Sequence, residues 1–184
     1  MVTIYDEQNN ITSSILYYLK NTMLFKYSGG SGTLQQLYPN IDVTIGFPDN
    51  FEVISLPTIA LMEMSSPAND HLTNEWIEKQ YNYKIDTFAG GERTNGVIDT
   101  GKNRYMKGRL ATDIKTLLDN NSITNHIDYY NFTDLVASGT MYRGNETIEV
   151  SNVTLTPLEP TGDLEADRYR STIDFTVSLI TSQD

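Results

Sequence analysis

The sequence predicts an α+β fold: a mostly antiparallel, twisted sheet with two amphipathic helices packed on one face, joined by long loops. Three observations predict it. Residues 81–88 alternate, with Tyr81, Tyr83, Ile85 and Thr87 on one side, which is the period of a half-buried strand. Residues 168–180 alternate strictly, placing Ile173, Phe175, Val177 and Leu179 inward and Thr172, Asp174, Thr176 and Ser178 outward. Between them the period changes: Met106, Leu110, Ile114, Leu117 and Leu118 recur at spacings of three and four, one stripe of an amphipathic helix.

Taken in order, the first element is a helix over residues 9–24. Asn9 or Asn10 caps it, because a short side-chain oxygen satisfies a free N–H of the first turn. Ile11, Ile15, Leu16, Leu19 and Met23 form its apolar stripe. Residues 26–50 are expected to be a loop excursion. Ser28-Gly29-Gly30-Ser31-Gly32 has linker composition. No Gly-Lys-Ser/Thr follows these glycines, so they do not make a Walker-type phosphate loop. Within the excursion, residues 42–47 alternate as a short strand, and Pro48-Asp49-Asn50 is turn chemistry.

Residues 51–56 are apolar and run into Pro57. Residues 58–64 continue as a strand with apolar residues on both faces, the pattern of a strand inside a sheet. Pro57, lacking an N–H, marks its beginning. Residues 65–70 read as a loop containing polar turn residues. Trp76 and Ile77 extend the 81–88 strand backwards, giving one long, bulged ribbon over residues 73–88.

Residues 90–103 form a second excursion, polar and with four glycines but no period: a surface loop. It passes into the second helix, from Arg104, where Lys102, Arg104, Lys107 and Arg109 gather on a solvated face or at subunit contacts. Residues 123–132 make a short strand or an irregular segment, and residues 135–142 are weakly extended. Ile148 and Val150 share one parity, while Val153 and Leu155 share the other, which implies a bulge near Ser151-Asn152. With residues 168–180 this segment makes a long antiparallel hairpin.

Composition excludes several classes of function. The chain has 184 residues, enough for a single domain over 1–184 with a real core. It has no cysteine, so disulfides, thiolate catalysis and cysteine-ligated zinc are out. The start has neither a basic n-region nor an apolar h-region, so secretion by signal peptide is not expected. No apolar run approaches the roughly 20 residues of a membrane helix. The formal charge of −11, from 24 acidic and 13 basic residues, disfavours sequence-specific duplex binding, which relies on cations to displace phosphate counterions. It suits solubility, or a surface that DNA must slide past.

No catalytic set is legible. Neither His71 nor His126 has a second metal ligand of its own kind three or four residues away. Asp163, Glu165 and Asp167 alternate as in a calcium loop, but the sixth-position glycine and twelfth-position glutamate are missing. No serine sits in a Gly-x-Ser-x-Gly elbow. Glu75, Glu78, Glu92 and Asp99 make no recognisable acid–base pair. The Asn145-Glu146-Thr147 and Asn152-Val153-Thr154 sequons lack a secretory context. The expectation is a protein with no cofactor, no metal and no enzymatic activity.

The order of elements carries a resemblance. A helix with Ile-x-x-x-Leu spacing precedes the strand Leu56-Pro57-Thr58-Ile59-Ala60-Leu61. The strand Tyr83-Lys84-Ile85-Asp86-Thr87-Phe88-Ala89 leads to the helix Arg109-Leu110-Ala111-Thr112-Asp113-Ile114-Lys115-Thr116-Leu117-Leu118. A hairpin closes the chain with Arg168-Tyr169-Arg170-Ser171-Thr172-Ile173-Asp174-Phe175-Thr176-Val177. This pattern resembles the tail-terminator, or tail-completion, proteins of tailed bacteriophages, and less closely their neck and minor capsid proteins. It covers most of the chain outside the two excursions and has no diagnostic short motif.

The resemblance implies a structural virion protein. It would assemble in the host cytoplasm as a homo-oligomeric ring, usually a hexamer, and cap the tail tube. Its partners would be the tail-tube protein and the neck or connector proteins, with DNA passing through an acidic lumen without being held and no membrane involved. Gly90, Gly91, Glu92, Arg93, Lys102, Arg104 and Lys107 are then the candidate ring or partner contacts, with residues 29–40 as a second contact segment. The alternatives are a neck or head-completion protein and, from another class, a small cytoplasmic enzyme or adaptor.

Overall fold

The structure, a computed structural model of the chain, describes residues 4–22, 24–25, 31–38, 41–46, 57–64, 68–71, 76–90, 93–95, 97–98, 100–124, 126–131, 142–158 and 168–182. Helix α1 (Ile4–Asn21) is followed by the two-residue strands β1 (Leu24–Phe25) and β2 (Ser31–Gly32), the one-turn helix α2 (Leu34–Leu37) and strand β3 (Asp42–Ile45). Next come β4 (Thr58–Glu63), β5 (Ala68–His71), β6 (Trp76–Gly90), β7 (Arg93–Thr94) and β8 (Val97–Ile98). Helix α3 (Thr100–Thr124), β9 (Ile127–Asn131), β10 (Tyr142–Leu158) and β11 (Arg168–Ser182) complete the chain. The class is α+β.

The main sheet has the order β3-β4-β6-β11-β10-β9, with β5 also on β6. β3 and β4 are parallel and the other pairings described are antiparallel, so the sheet is mixed. β6 is long enough to take two partners end to end on one edge: β4 along residues 83–88 and β5 along residues 77–80. Its other edge pairs with β11 in unbroken register from Gly90↔Arg168 to Trp76↔Ser182. No bulge breaks the register over residues 76–88, and residues 73–75 of the expected bulged ribbon lie outside the described residues. Residues 68–70 of the expected 65–70 loop belong to strand β5.

The bulge inferred in β10 is present. Register shifts between Ser151 and Thr154, and Asn152 takes a φ of 54°. An asparagine tolerates this left-handed geometry better than a branched residue would. Its effect is to return both halves of β10 to one core: Ile148 and Val150 before it are buried, and Val153 and Leu155 after it pack on the same cluster.

That cluster joins Ile11, Ile15 and Leu19 of α1 to Leu110, Ile114, Leu117 and Leu118 of α3 and to Tyr81, Tyr83 and Ile85 of β6. Ile173, Phe175, Val177 and Leu179 of β11 complete it, as their alternation predicts. Tyr83 and Phe175, directly opposite across the ladder, stack with centroids 5.7 Å apart. The Tyr18 hydroxyl of α1 donates to the Leu117 carbonyl of α3 at 2.9 Å.

Both helices start earlier than their stripes suggest. Asn9 and Asn10 lie inside α1 rather than capping it, because the polar run from Asp6 to Asn10 is helical without showing an apolar period. Met23 lies outside the described residues. α3 begins at Thr100 rather than Arg104.

The two excursions are more ordered than their composition suggests. The 26–50 segment contains β2, α2 and β3, and Leu34, Tyr38 and Ile41 are buried in the core. A capping box holds the single turn of α2: Gln36 N–H donates to Thr33 Oγ1 at 3.4 Å, and Thr33 N–H donates to Gln36 Oε1 at 2.9 Å. In the 90–103 segment, β7 and β8 pair around Asn95, whose φ is also 54°. The Asn95-Gly96 dipeptide is the turn signal for such a hairpin.

The outward side of the ladder is not wholly wet. Thr172 and Ser178, expected outside, are buried, as are Thr58, Ala60 and Phe88. Asp86 is fully buried there, accepting from Arg170 Nη2 at 2.6 Å and from Thr172 Oγ1 at 2.7 Å. The expected segments 51–56 and 135–141 lie outside the described residues.

Candidate assembly surface

The geometry of α1 against the sheet creates the surface of interest. Six strands lying flat would put β3 and β9 roughly 24 Å apart, at about 4.8 Å per step. A helix is only about 10–12 Å across with its side chains. Yet α1 shares clefts with both ends of the sheet: Asn9, Thr12 and Ser13 face Ile45 and Leu61, while Ser14, Tyr17 and Tyr18 face Ile127 and Tyr130. The sheet therefore curls, and α1 bridges its two ends.

Specific polar contacts fix the helix in this place. Glu7 accepts from the Tyr81 hydroxyl at 2.6 Å, and Lys79 Nζ lies 2.7 and 2.9 Å from the two Glu7 oxygens. One turn further on, the Thr12 and Tyr83 hydroxyls hydrogen-bond at 3.0 Å. Alternation along β6 is what aims Lys79, Tyr81 and Tyr83 at one helix. Burial, then the hydrogen bond to Glu7 and its charge, pushes the Tyr81 hydroxyl well above the usual tyrosine range. Burial does the same to Tyr83. Tyr38 is raised too, first by burial and then by its hydrogen bond to Asp113 of α3.

The two end strands are treated differently. On β9, the Tyr130 N–H donates to Ser14 Oγ of α1 at 3.0 Å, and the Tyr17 and Tyr130 rings meet edge to face at 5.1 Å. On β3, no strand among the described residues pairs with the side away from β4. Ile45 at its end is 63% exposed, and neighbouring Met64 is 51% exposed. Leu61, Met62 and Glu63 join these two and α1 around a cleft of about 450 Å³.

The sequence-predicted contacts are scattered along the chain. Gly90 ends β6 opposite Arg168, and Arg93 pairs with Ile98 in the small β7–β8 ladder. Lys102 and Arg104 belong to the first turns of α3. Gly91 and Glu92 lie outside the described residues. Lys107 is a correction: it is 5% exposed rather than on an outer face. Helix phase explains this, since Lys107 stands three and four residues before the buried Leu110 and Ala111.

Sequence reasoning missed Ile45, Met64 and Tyr105, the last 67% exposed on α3. Tyr105 was findable, because it stands beside the Met106 stripe and off its spacing. Ile45 was not: alternation marks it as a core residue, but the short strand carries it past the core's edge.

No other chemistry assembles among the described residues. No group of three His, Asp or Glu side chains is placed to hold a metal ion. His126 Nδ1 lies 3.6 Å from Glu149 Oε1, both half exposed, and His71 lies in β5 rather than a loop. The carboxylates at 163–167, with Glu75, Glu92 and Asp99, fall outside the described residues. No helix described is long and apolar enough to cross a membrane. Compared with known proteins, the chain matches no family model and no curated sequence.

Proposed function

We propose that the protein is a structural component of a tailed-phage virion, a ring-forming subunit that caps the tail tube and joins it to the head or neck. In this reading the unit is a mostly antiparallel block with its helices on one face. Copies meet side by side, and the closed ring stops the tube from growing.

The observation that carries the reading is the unlike treatment of the two sheet ends. β9 is covered by α1 through Ser14 and Tyr17, whereas the β3 end leaves Ile45 and Met64 in water. Large exposed apolar side chains grouped at one place mark an association site. Head-to-tail contacts between unlike surfaces close into rings when the rotation divides the circle. The charge of −11 suits a channel that DNA traverses without sticking. The element order described above supplies the phage context.

The test is native mass spectrometry and negative-stain microscopy of the purified protein, alone and mixed with tail-tube subunits. A ring species that binds tube ends is the expected result. Retention on neck or connector proteins instead of tubes would favour the neck protein. A persistent monomer under all these conditions would end the proposal.

A further inference from the structure

We propose that the ring contact is made by Tyr105 of one copy seated in the cleft between α1 and the β3–β4 end of its neighbour. The inference rests on the ring reading above and supplies its partner surfaces, which that reading leaves open.

Tyr105 is the most exposed of the large hydrophobic side chains described, at 67%. It stands on α3 one turn before Arg109, which sets a cation beside the projecting ring. The cleft offers the opposite character. Its walls are apolar, from Ile45, Leu61, Met62 and Met64, and the charged residue among those lining it is Glu63. Asn9, Thr12 and Ser13 line the helix side and supply partners for a phenol O–H.

An aromatic ring with a polar tip is the side chain such a mixed cleft accepts. Methionine walls adapt to it and add sulfur–aromatic contact. Arg109 beside Tyr105 would meet Glu63, which orients the approach of one copy on the next. Knob and cleft are different surfaces of the same chain, so copies can join head to tail through a heterologous contact. Each copy gives one and receives one, which is what a ring requires.

The chain's lack of cysteine allows a direct test by crosslinking. Gly108 is exposed on α3, three residues from Tyr105, and a Cβ there meets nothing within 4 Å, so Gly108→Cys is a benign probe. Ser13→Cys places the second thiol at the cleft wall. Mixing the two single variants under mild oxidation is expected to give a disulfide dimer on a non-reducing gel, which neither gives alone. Adding Tyr105→Ala to the Gly108→Cys chain should abolish that dimer. Rings in micrographs without the mixed disulfide would overturn this contact and leave the ring reading standing. Self-crosslinking of either single variant, or a mixed disulfide that survives Tyr105→Ala, would also overturn it. Monomers with no crosslink would overturn both.

Discussion

Asp86 of β6 lies fully buried on the outward side of the sheet, with one carboxylate oxygen 2.6 Å from Arg170 Nη2 on β11. The other accepts from Thr172 at 2.7 Å, and the Arg170 guanidinium also lies over the Phe88 ring at 5.9 Å. The pair ties β6 to β11 at a point where a wet, polar face was expected. Removing Arg170 strands a fully buried carboxylate, whereas Arg170 itself is 38% exposed and keeps water when Asp86 is removed.

Arg170→Leu is therefore expected to lower stability by about 3–5 kcal/mol, read by urea denaturation. Asp86→Ala, which leaves a partly solvated cation, should cost about 1–3 kcal/mol. Asp86→Asn, which keeps the shape and one acceptor, should cost less. A joint Asp86→Ala, Arg170→Leu variant should recover part of the Arg170→Leu loss, since it removes the orphaned carboxylate. A double-mutant cycle showing no coupling would mean the ion pair does not hold these strands.

The apolar stripe of α3 gives a second expectation. Ile114 is fully buried, and Ile114→Ala should cost about 2–5 kcal/mol through lost contacts and the cavity left behind. Thr112→Ala, on the exposed side of the same helix, should stay within about 0.5 kcal/mol of the parent. Leu110→Asp should be insoluble when expressed. Equal melting curves for Ile114→Ala and Thr112→Ala would show the helix phase to be wrong.

Alkaline pH should unfold the protein through its tyrosines. Tyr38, Tyr81 and Tyr83 are all raised above the ordinary value of 10.0, chiefly by burial. A group whose folded value is raised holds its proton more tightly when folded, so its stabilisation is complete below pH 10 and falls as pH rises beyond it. Tyrosinate absorbance should accordingly appear in two steps, the exposed rings first and these three together with loss of circular dichroism. A single step near the ordinary value with the fold intact would contradict their burial.

The bulge in β10 can be tested by backbone preference. Asn152 is exposed and sits at a φ of 54°, so no packing argument interferes. Asn152→Gly should be neutral within a few tenths of a kcal/mol. Asn152→Val should cost about 1–2 kcal/mol, because a β-branched residue is strained in the left-handed region. If valine is tolerated, the strand has lost its bulge, and amide exchange would show the register shift.

Much of this fold is written in local periodicity. The alternation of Tyr81, Tyr83 and Ile85 and of Ile173, Phe175, Val177 and Leu179 identified the two central strands. The parity change between Val150 and Val153 located a bulge before any partner strand was known. The stripe of Leu110, Ile114, Leu117 and Leu118 fixed the phase of α3. Each of these is a record of one element's burial against one core, and a chain displays that without reference to what lies opposite.

Only the tertiary structure decided what depends on two distant segments meeting. That β3 runs parallel to β4, that α1 bridges the ends of a curled sheet, and that Glu7 reaches Tyr81 and Lys79 follow from no local pattern. The inward turn of Lys107 and the burial of Asp86 are of the same kind, since a charged residue reads as solvent-facing until a partner or a covering strand is in place. The candidate surface belongs here too. Ile45 is apolar in the sequence whether it is buried or not, and only the place where the core stops leaves it exposed.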